Sequence, residues 1–279
     1  SWFDAVNHAF TTMATGGFSV RNTSIASYQS DAITWVIVVF TFLAGINFSL
    51  LYAVVRGRIK DALRSEELRW YLLILAITIG LICVDLHVEL GQGWYESAKD
   101  AAFQATTIMS TTGYATKDFT LWPTFSRCIL VLLMYVGGCA GSTAGGMKVS
   151  RLMLQVKSLR RELDHIIHPN RVSVITMDGQ SVDEKAVTSA HMFQVAYLLI
   201  LMAGTLVVSL DVLGFTESFV ASLTCISNVG PSLGTLGPMA NFAPLSWFSK
   251  LVLALIMLMG RLELMPLLVL LSPSTWRNK

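Results

Sequence analysis

The chain has 279 residues, of which 53% are hydrophobic and only 14% are charged, and its mean hydropathy is +0.59. Soluble globular domains usually carry about a quarter charged residues, so this composition excludes an ordinary soluble fold and predicts an all-α polytopic membrane protein. The formal net charge of +2 carries little information by itself, and we expect no nucleic-acid partner.

Five apolar runs approach the roughly 20 residues that an α-helix needs to cross about 30 Å of hydrocarbon. These runs are Ala32–Val55, Trp70–Leu90, Trp122–Gly137, Met192–Leu210 and Trp247–Leu271. Lysine and arginine concentrate outside them, in Arg56–Arg69, in the polar segment Lys148–Thr188 and at the C-terminus. The positive-inside rule therefore predicts that these three segments are cytoplasmic.

A glycine-containing stretch occurs three times, as ATGGF at 14–18, STTGY at 110–114 and SNVGP at 227–231. An acidic residue lies thirteen positions before the aligned glycine in each copy: Asp4, Asp100 and Glu217. Thirteen helical residues span about 20 Å, which is too short to cross a bilayer. One such stretch would favour a surface helix, but three copies predict re-entrant helices that each end in a glycine loop.

These loops suit the chemistry of a cation filter. A cation that sheds water needs replacement oxygens, which rings of backbone carbonyls supply, and glycine permits the backbone bends that such strands require. The negative ends of the preceding helices would also favour a cation over an anion. The predicted filter residues are Thr15, Gly16, Gly17, Thr111, Thr112, Gly113, Asn228, Val229 and Gly230. With one glycine bend per strand we expect a single firm binding layer and modest selectivity.

The run that begins near Trp122 is interrupted by GGCAGSTAGG at 137–146, which has five glycines in ten residues. Non-helical backbone at membrane depth is tolerated only where it faces protein or a water-filled cavity. We therefore predict a gate in the ion path. Its residues are Gly137, Gly138, Gly141, Ser142, Thr143, Gly145 and Gly146, together with Arg261.

Arg261 lies inside the last apolar run, where an ionisable side chain is costly and normally faces a cavity or a partner. Glu263 is two residues away and points to another side of a helix, so it cannot neutralise Arg261. We expect Arg261 to face the pore or the glycine-rich loop as a barrier to cations. The alternative is that its side chain extends to the inner membrane surface.

Other readings of the glycine-rich stretch stay open. Glycines spaced four apart also occur at helix-packing faces. A membrane-embedded serine hydrolase would use Ser142, but the order GxSxG is absent and no histidine lies nearby in sequence, so we do not expect an enzyme. A third alternative is a non-conducting membrane scaffold built on a degenerate pore.

Three minor features complete the sequence. A short hairpin is predicted from Val172–Met177, a turn at Asp178-Gly179, and Ser181–Val182. The segment around it is either a solvated surface or a docking surface for a cytoplasmic partner. The four cysteines lack ligand spacing and are expected to be free, buried thiols, and His87 lacks a second histidine for a metal site.

Taken together, TTGY, ATGGFS, SNVGPSLG, the loop GGCAGSTAGGMK and the final GRLE resemble the Trk/Ktr/HKT superfamily of potassium transporters, in particular the bacterial TrkH-type pore subunits. The resemblance implies repeated helix–pore loop–helix units with pseudo-fourfold symmetry around one pore in the cell inner membrane. It implies K⁺ as the transported ion without a cofactor, a homodimer, and a cytoplasmic nucleotide-binding regulatory ring. Gly17, Gly113 and Gly230 match the family's filter glycines, and Arg261 its pore-facing arginine.

Three units account for the chain: a partial unit over 1–69, a full unit with the broken helix over 70–190, and a full unit over 191–279. The resemblance implies a fourth, N-terminal unit of the same polypeptide that this sequence lacks. A quarter of the filter ring would then be missing, so we expect no conduction from this chain alone. In this family the identity of the filter residue on that strand, Gly or Ser, bears on the K⁺ versus Na⁺ preference.

Overall fold

The computed structural model describes residues 1–170, 173–211 and 213–262, together with 264, 266, 269, 270 and 276. The helices are α1 (Trp2–Met13), α2 (Asp31–Ala44), α3 (Phe48–Val55), α4 (Ile59–Arg64), α5 (Glu66–Leu90), α6 (Trp94–Met109), α7 (Thr124–Val136), α8 (Val149–Ile167), α9 (Glu184–Val208), α10 (Phe215–Ser227) and α11 (Trp247–Arg261). Strands β1 (Thr176–Met177) and β2 (Gln180–Ser181) pair antiparallel. Short 3₁₀ turns join some of these elements.

Helices α5 and α9 are long and apolar enough to cross a membrane. Each has 25 residues, and they contain the predicted runs Trp70–Leu90 and, apart from its last two residues, Met192–Leu210. The pair α2 and α3 is a third candidate if it crosses as one span. The described part of the chain is therefore largely helical, with two helices of membrane-spanning length and a bent pair that is a third candidate.

The run Ala32–Val55, predicted to span the membrane, is not one continuous helix. Helices α2 and α3 meet at an angle of 106°. The Asn47 side chain restarts the helix by accepting the backbone N–H of Ser49 at 2.8 Å. A side-chain oxygen at the N-cap satisfies a donor that has no partner inside the helix, so the break is stabilised locally.

Helix α7 is shorter than the predicted span, and the predicted span that begins at Trp247 is described only in part. Helix α7 has 13 residues and ends at Val136, where the predicted glycine-rich interruption begins. Helix α11 has 15 residues and ends at Arg261, and the predicted end at Leu271 lies outside the described residues. At 1.5 Å per residue both helices measure roughly 20 Å.

The helices that precede the glycine loops are short, as their sequence spacing indicates. Helices α1, α6 and α10 have 12, 16 and 13 residues, fewer than the roughly 20 that a full crossing needs. Helix α6 is central: every residue from Asp100 to Met109 is buried, and α2, α5 and α7 pack around it. Helix α10 packs in the same way against α7, α9 and α11.

The hairpin forms where it was predicted, although its strands are only two residues long and Val172 lies outside the described residues. Its turn residues Asp178 and Gly179 have φ of 50° and 80°, as a tight hairpin turn requires. The Asp178 carboxylate accepts the backbone N–H of Glu66 at 2.6 Å. The hairpin therefore caps the start of spanning helix α5.

The four cysteines are free thiols, as predicted, but not all of them are buried. Cys139 and Cys225 are buried, whereas Cys83 is half-buried and Cys128 is exposed. Cys128 lies in the first half of α7, on a face that no other described element covers.

Candidate functional site

The three glycine loops, defined as residues 15–17, 111–113 and 228–230, meet around one cavity of about 700 Å³. Eight of the nine predicted filter residues line it: Thr15, Gly16, Gly17, Thr112, Gly113, Asn228, Val229 and Gly230. Thr111 does not, because it is fully buried and its hydroxyl accepts the backbone N–H of Gly145 at 2.7 Å. Segments separated by about a hundred residues in sequence are therefore neighbours in space.

Each glycine loop begins with the same local geometry. A residue with positive φ lies two positions before the aligned glycine: Thr15 at 50°, Thr111 at 57° and Asn228 at 57°. The next backbone N–H donates to the carbonyl five residues earlier: Gly16 to Thr11 at 2.7 Å, Thr112 to Thr107 at 2.8 Å and Val229 to Thr224 at 2.9 Å. This is the Schellman type of helix ending, and it turns the chain sharply after each short helix.

The sequence analysis missed a threonine that braces each glycine loop. Thr11 donates its hydroxyl to the carbonyl of Phe18 at 3.0 Å, and Thr107 donates to that of Tyr114 at 3.2 Å. Thr224 instead accepts the backbone N–H of Gly230 at 2.9 Å. The signal was present in the repeats, because a threonine stands six positions before the aligned glycine in all three.

The loops follow one another in a fixed order around the cavity. A Cβ on Gly17 would lie 1.8 Å from the carbonyl oxygen of Thr112, and a Cβ on Gly113 would lie 1.9 Å from that of Val229. Only glycine fits such contacts. Next to Gly230, by contrast, a Cβ would meet nothing within 4 Å among the described residues. The arrangement is thus an arc of three loops that is open beside Gly230.

Apart from Arg261, which ends α11 and lines the cavity, the predicted gate residues lie in a non-helical loop between α7 and α8, defined here as the glycine-rich loop 137–148. Its centre, Thr143, accepts hydrogen bonds on its carbonyl from the Thr15 hydroxyl and from Arg261, both at 2.8 Å. The Thr143 hydroxyl donates to the carbonyl of Met13 at 3.1 Å. The loop therefore connects the first glycine loop with the end of α11.

The same loop also contacts the second and third glycine-loop units. Gly145 donates its N–H to Thr111, and a Cβ on Gly145 would lie 2.3 Å from the carbonyl oxygen of Ser227. The Lys148 ammonium folds back onto the carbonyl of Ala144. Every glycine-loop unit of this chain thus touches the glycine-rich loop.

The ends of the loop are held close together. Gly137 and Gly146 are in backbone contact, and Gly138 accepts the backbone N–H of Val149 at 2.9 Å. Since these residues are not helical, a GxxxG helix-packing face is not what the glycines form. The Ser142 hydroxyl donates to the carbonyl of Cys139, so it serves the turn of the loop, and this geometry gives the hydrolase reading no support.

The two broken helices are joined through their breaks. Cys139 donates its backbone N–H to the carbonyl of Gly45 at 2.9 Å, and Phe48 donates to that of Gly141 at 3.1 Å. These bonds satisfy backbone groups that both helix breaks leave unpaired, as buried polar groups require. The bend between α2 and α3 therefore depends on the glycine-rich loop.

Glu67, which the sequence analysis did not single out, anchors the loop from outside. Its side chain is buried, with the residue 7% exposed. One carboxylate oxygen accepts the backbone N–H groups of Ala140 at 2.7 Å and Ser150 at 3.1 Å. These donors lie at the beginning of the loop and just beyond its end, so one side chain fixes both.

Fold and site together define an α-helical integral membrane protein in which three glycine loops surround one cavity and a glycine-rich loop contacts all three of their units. The model of the TrkH family, described as cation transport protein, matches residues 1–278. The chain therefore belongs to the TrkH family, which confirms the resemblance seen in its motifs.

The relatives that it matches are potassium transport proteins. It is 33% identical to the Trk system potassium uptake protein TrkH of Salmonella typhimurium, over 99% of this chain and 57% of that protein. It is 35% identical to the Trk system potassium uptake protein TrkI of Halomonas elongata, over 99% of this chain and 56% of that protein. The crystal structure of the potassium transporter TrkH from Vibrio parahaemolyticus matches with a TM-score of 0.92 at 33% identity, over 99% of this chain and 60% of that one. The chain thus spans less than two thirds of the length of these relatives.

Proposed function

We propose that this chain forms most of the pore of a potassium uptake transporter. K⁺ passes through a ring of backbone carbonyls supplied by the three glycine loops and by a fourth strand from outside this sequence. The observation that carries the proposal is the convergence of the loops on one cavity, with each aligned glycine beside the next carbonyl and an open place beside Gly230. The potassium transport named for its relatives supports the choice of ion.

The packing of the helices supports three related units, over 1–69, 70–190 and 191–279. Helix α2 follows the first glycine loop and packs on α6 of the next unit, and α7 follows the second and packs on α10 of the third. In both cases the helix that follows a glycine loop packs on the short helix of the next unit. Pseudo-fourfold symmetry around a pore requires such a repeated contact. We infer that α1, α6 and α10 are re-entrant pore helices.

We assign the role of gate to the glycine-rich loop 137–148. It lies against all three units, and Arg261 binds its centre while also lining the cavity. A cationic side chain there opposes the passage of a cation electrostatically. Motion of the loop together with Arg261 would open the path.

The surroundings are proposed from the family resemblance. The chain lies in the cell inner membrane as part of a homodimer, with 56–69, 148–188 and the C-terminus in the cytoplasm. A cytoplasmic nucleotide-binding regulatory ring binds on that side and controls the gate. Besides the transported K⁺, the proposal involves no cofactor.

The filter is tested with Gly113→Ala in the complete transporter, reconstituted into liposomes for Rb⁺ uptake. The matched control is Gly179→Ala in the hairpin turn. Gly113 and Gly179 have nearly the same φ, 79° and 80°, but an added Cβ would collide with a carbonyl oxygen only at Gly113. We expect uptake to fall at least tenfold, for which about 1.4 kcal/mol suffices, in Gly113→Ala alone. Equal uptake by both variants and the unmodified protein would contradict the filter. Absence of uptake in the unmodified protein would favour a non-conducting scaffold.

A further inference from the structure

The acidic residue that precedes each glycine loop reaches the segment that leaves the loop. Asp4 accepts a hydrogen bond from the Arg21 guanidinium at 3.2 Å, and Asp100 forms an ion pair with Lys117 at 2.8 Å. Glu217 accepts the backbone N–H of Thr235 at 2.7 Å. In every unit a carboxylate on the short helix is thus joined to the chain shortly beyond the glycine.

The partners lie at nearly the same position in the three units. Arg21 and Lys117 stand four residues after the aligned glycine, and Thr235 stands five residues after it, directly following Gly234. In the third unit a Cβ on Gly234 would lie 2.0 Å from the Glu217 carboxylate, so the carboxylate occupies the space that a side chain would need. The contact therefore recurs four or five residues after the aligned glycine, although the residue types differ.

The residue types compensate for one another in length. The first two units combine a short acid, aspartate, with a long cationic side chain. The third combines the longer glutamate with a glycine at the fourth position, so that the carboxylate reaches the backbone N–H of the next residue, Thr235. The contact is present in all three units although both partners differ between them. This indicates that the fold requires the connection itself and not a particular pair of side chains.

The carboxylate of the second unit, Asp100, is buried, so its free energy would rise steeply without a partner. The Asp100 side chain is 2% exposed, while the Lys117 side chain is 44% exposed. Removal of a buried carboxylate from water costs several kcal/mol unless a partner compensates. The pairing thus favours one position of Lys117, and with it one path of the strand between Gly113 and Lys117.

We propose that Asp4, Asp100 and Glu217 are positioning residues that contribute to the K⁺ over Na⁺ preference of the filter. Each carboxylate holds the outgoing strand of its glycine loop against the short helix of the same unit, and we name these three contacts the carboxylate clasps. The proposal rests on the proposed function, because it assigns the carbonyls of these strands to a cation.

The clasps act together with the threonine braces. In the second unit Thr107 holds the strand at Tyr114, and Asp100 holds it at Lys117. Two attachments keep the strand from shifting toward or away from the cavity axis. A ring that holds its diameter discriminates against the smaller Na⁺, whereas a ring free to contract coordinates both ions.

The test measures Rb⁺ and Na⁺ uptake by the complete transporter in liposomes for three variants. Lys117→Met removes the cation of the clasp, and Lys117→Arg replaces it by the residue type of the first unit. Lys99→Met is the matched control, since Lys99 neighbours Asp100 in sequence but pairs with the more exposed Asp31 and Glu96. We expect the Rb⁺/Na⁺ uptake ratio to fall at least threefold in Lys117→Met only.

An unchanged ratio in Lys117→Met, or an equal fall in Lys117→Arg and Lys99→Met, would overturn the clasp while leaving the filter intact. Hydrogen exchange supplies a second measurement that needs no transport. Backbone amides at 114–116 should exchange at least threefold faster in Lys117→Met than in Lys99→Met, and equal exchange would also overturn the clasp. A lack of Rb⁺ uptake by the unmodified protein, by contrast, would count against the proposed function.

Discussion

Arg261 connects the cavity of the glycine loops with the glycine-rich loop. Its guanidinium donates to the Thr143 carbonyl at 2.8 Å and lines the cavity of the glycine loops. A hydrogen bond from a charged donor contributes about 1.5–3 kcal/mol. That interaction keeps a positive charge next to the centre of the glycine-rich loop. The Arg261 side chain thus contacts the loop and the cavity, and does not take the alternative position at the inner membrane surface.

Replacement of this arginine is predicted to raise ion flux. Arg261→Met removes the hydrogen bond to the loop and the cationic barrier but keeps most of the apolar length. We expect Rb⁺ uptake by the complete transporter to increase about tenfold, since 1.4 kcal/mol corresponds to that factor. Arg56→Met is the control, because Arg56 is exposed and contacts Tyr52 of its own helix. Uptake that is unchanged or lower in Arg261→Met would argue against a gate role.

At the scale of elements, hydrogen bonds connect the two broken helices with each other and with the start of α5. The breaks after α2 and after α7 exchange backbone hydrogen bonds, and Glu67 binds both sides of the glycine-rich loop. The preceding residue, Glu66, is bound to the hairpin and to Lys157 of α8. Two successive residues thus connect the predicted cytoplasmic hairpin and the loop.

We predict that Glu67→Ala loosens the loop. The substitution leaves the N–H groups of Ala140 and Ser150 without their acceptor, and each buried unsatisfied donor costs about 1–3 kcal/mol. Hydrogen exchange at 138–150 should become at least tenfold faster, and the melting temperature should fall by several degrees. Glu66→Ala is the control, since its carboxylate binds only outside the loop. Similar exchange rates in the two variants would disprove the anchoring role.

At the scale of the whole molecule, we relate the open place beside Gly230 to the exposure of α1. Trp2, Phe3 and Phe10 of α1 are exposed, and in the proposed arrangement α1 and α10 belong to the first and third units, which flank the gap. A further unit between them would both complete the ring of loops and cover these side chains. The relatives, which are longer than this chain, have room for such a unit.

The orientation in the membrane is predicted by the basic segments and is tested with two cysteines. In a Cys128→Ser background, Gln180→Cys places a thiol in the hairpin and Ala243→Cys places one before α11, both at exposed positions. A membrane-impermeant maleimide should label Gln180→Cys only in inside-out vesicles and Ala243→Cys only in right-side-out vesicles. Labelling of both from the same side would refute the proposed topology.

The sequence by itself determined the features that depend on local chemistry. The apolar lengths of α5 and α9, the short helices before each glycine, the end of α7 at the glycine-rich stretch and the hairpin turn all follow from runs of fewer than thirty residues. Glycine spacing and apolar length limit the backbone directly. The recurring acids and glycines also indicated which positions to compare.

Only the tertiary structure decided how these pieces meet. The bend between α2 and α3 uses hydrogen bonds to the glycine-rich loop, and Glu67 binds donors more than seventy positions away in sequence. The contact of Gly17 with Thr112 and the clasp partners likewise depend on where separate helices pack. Such contacts depend on the packing of the whole bundle and produce no periodic pattern in any one segment. The sequence therefore indicated the glycine loops and the glycine-rich loop, but neither their geometry nor the side chains, such as Glu67, that hold them.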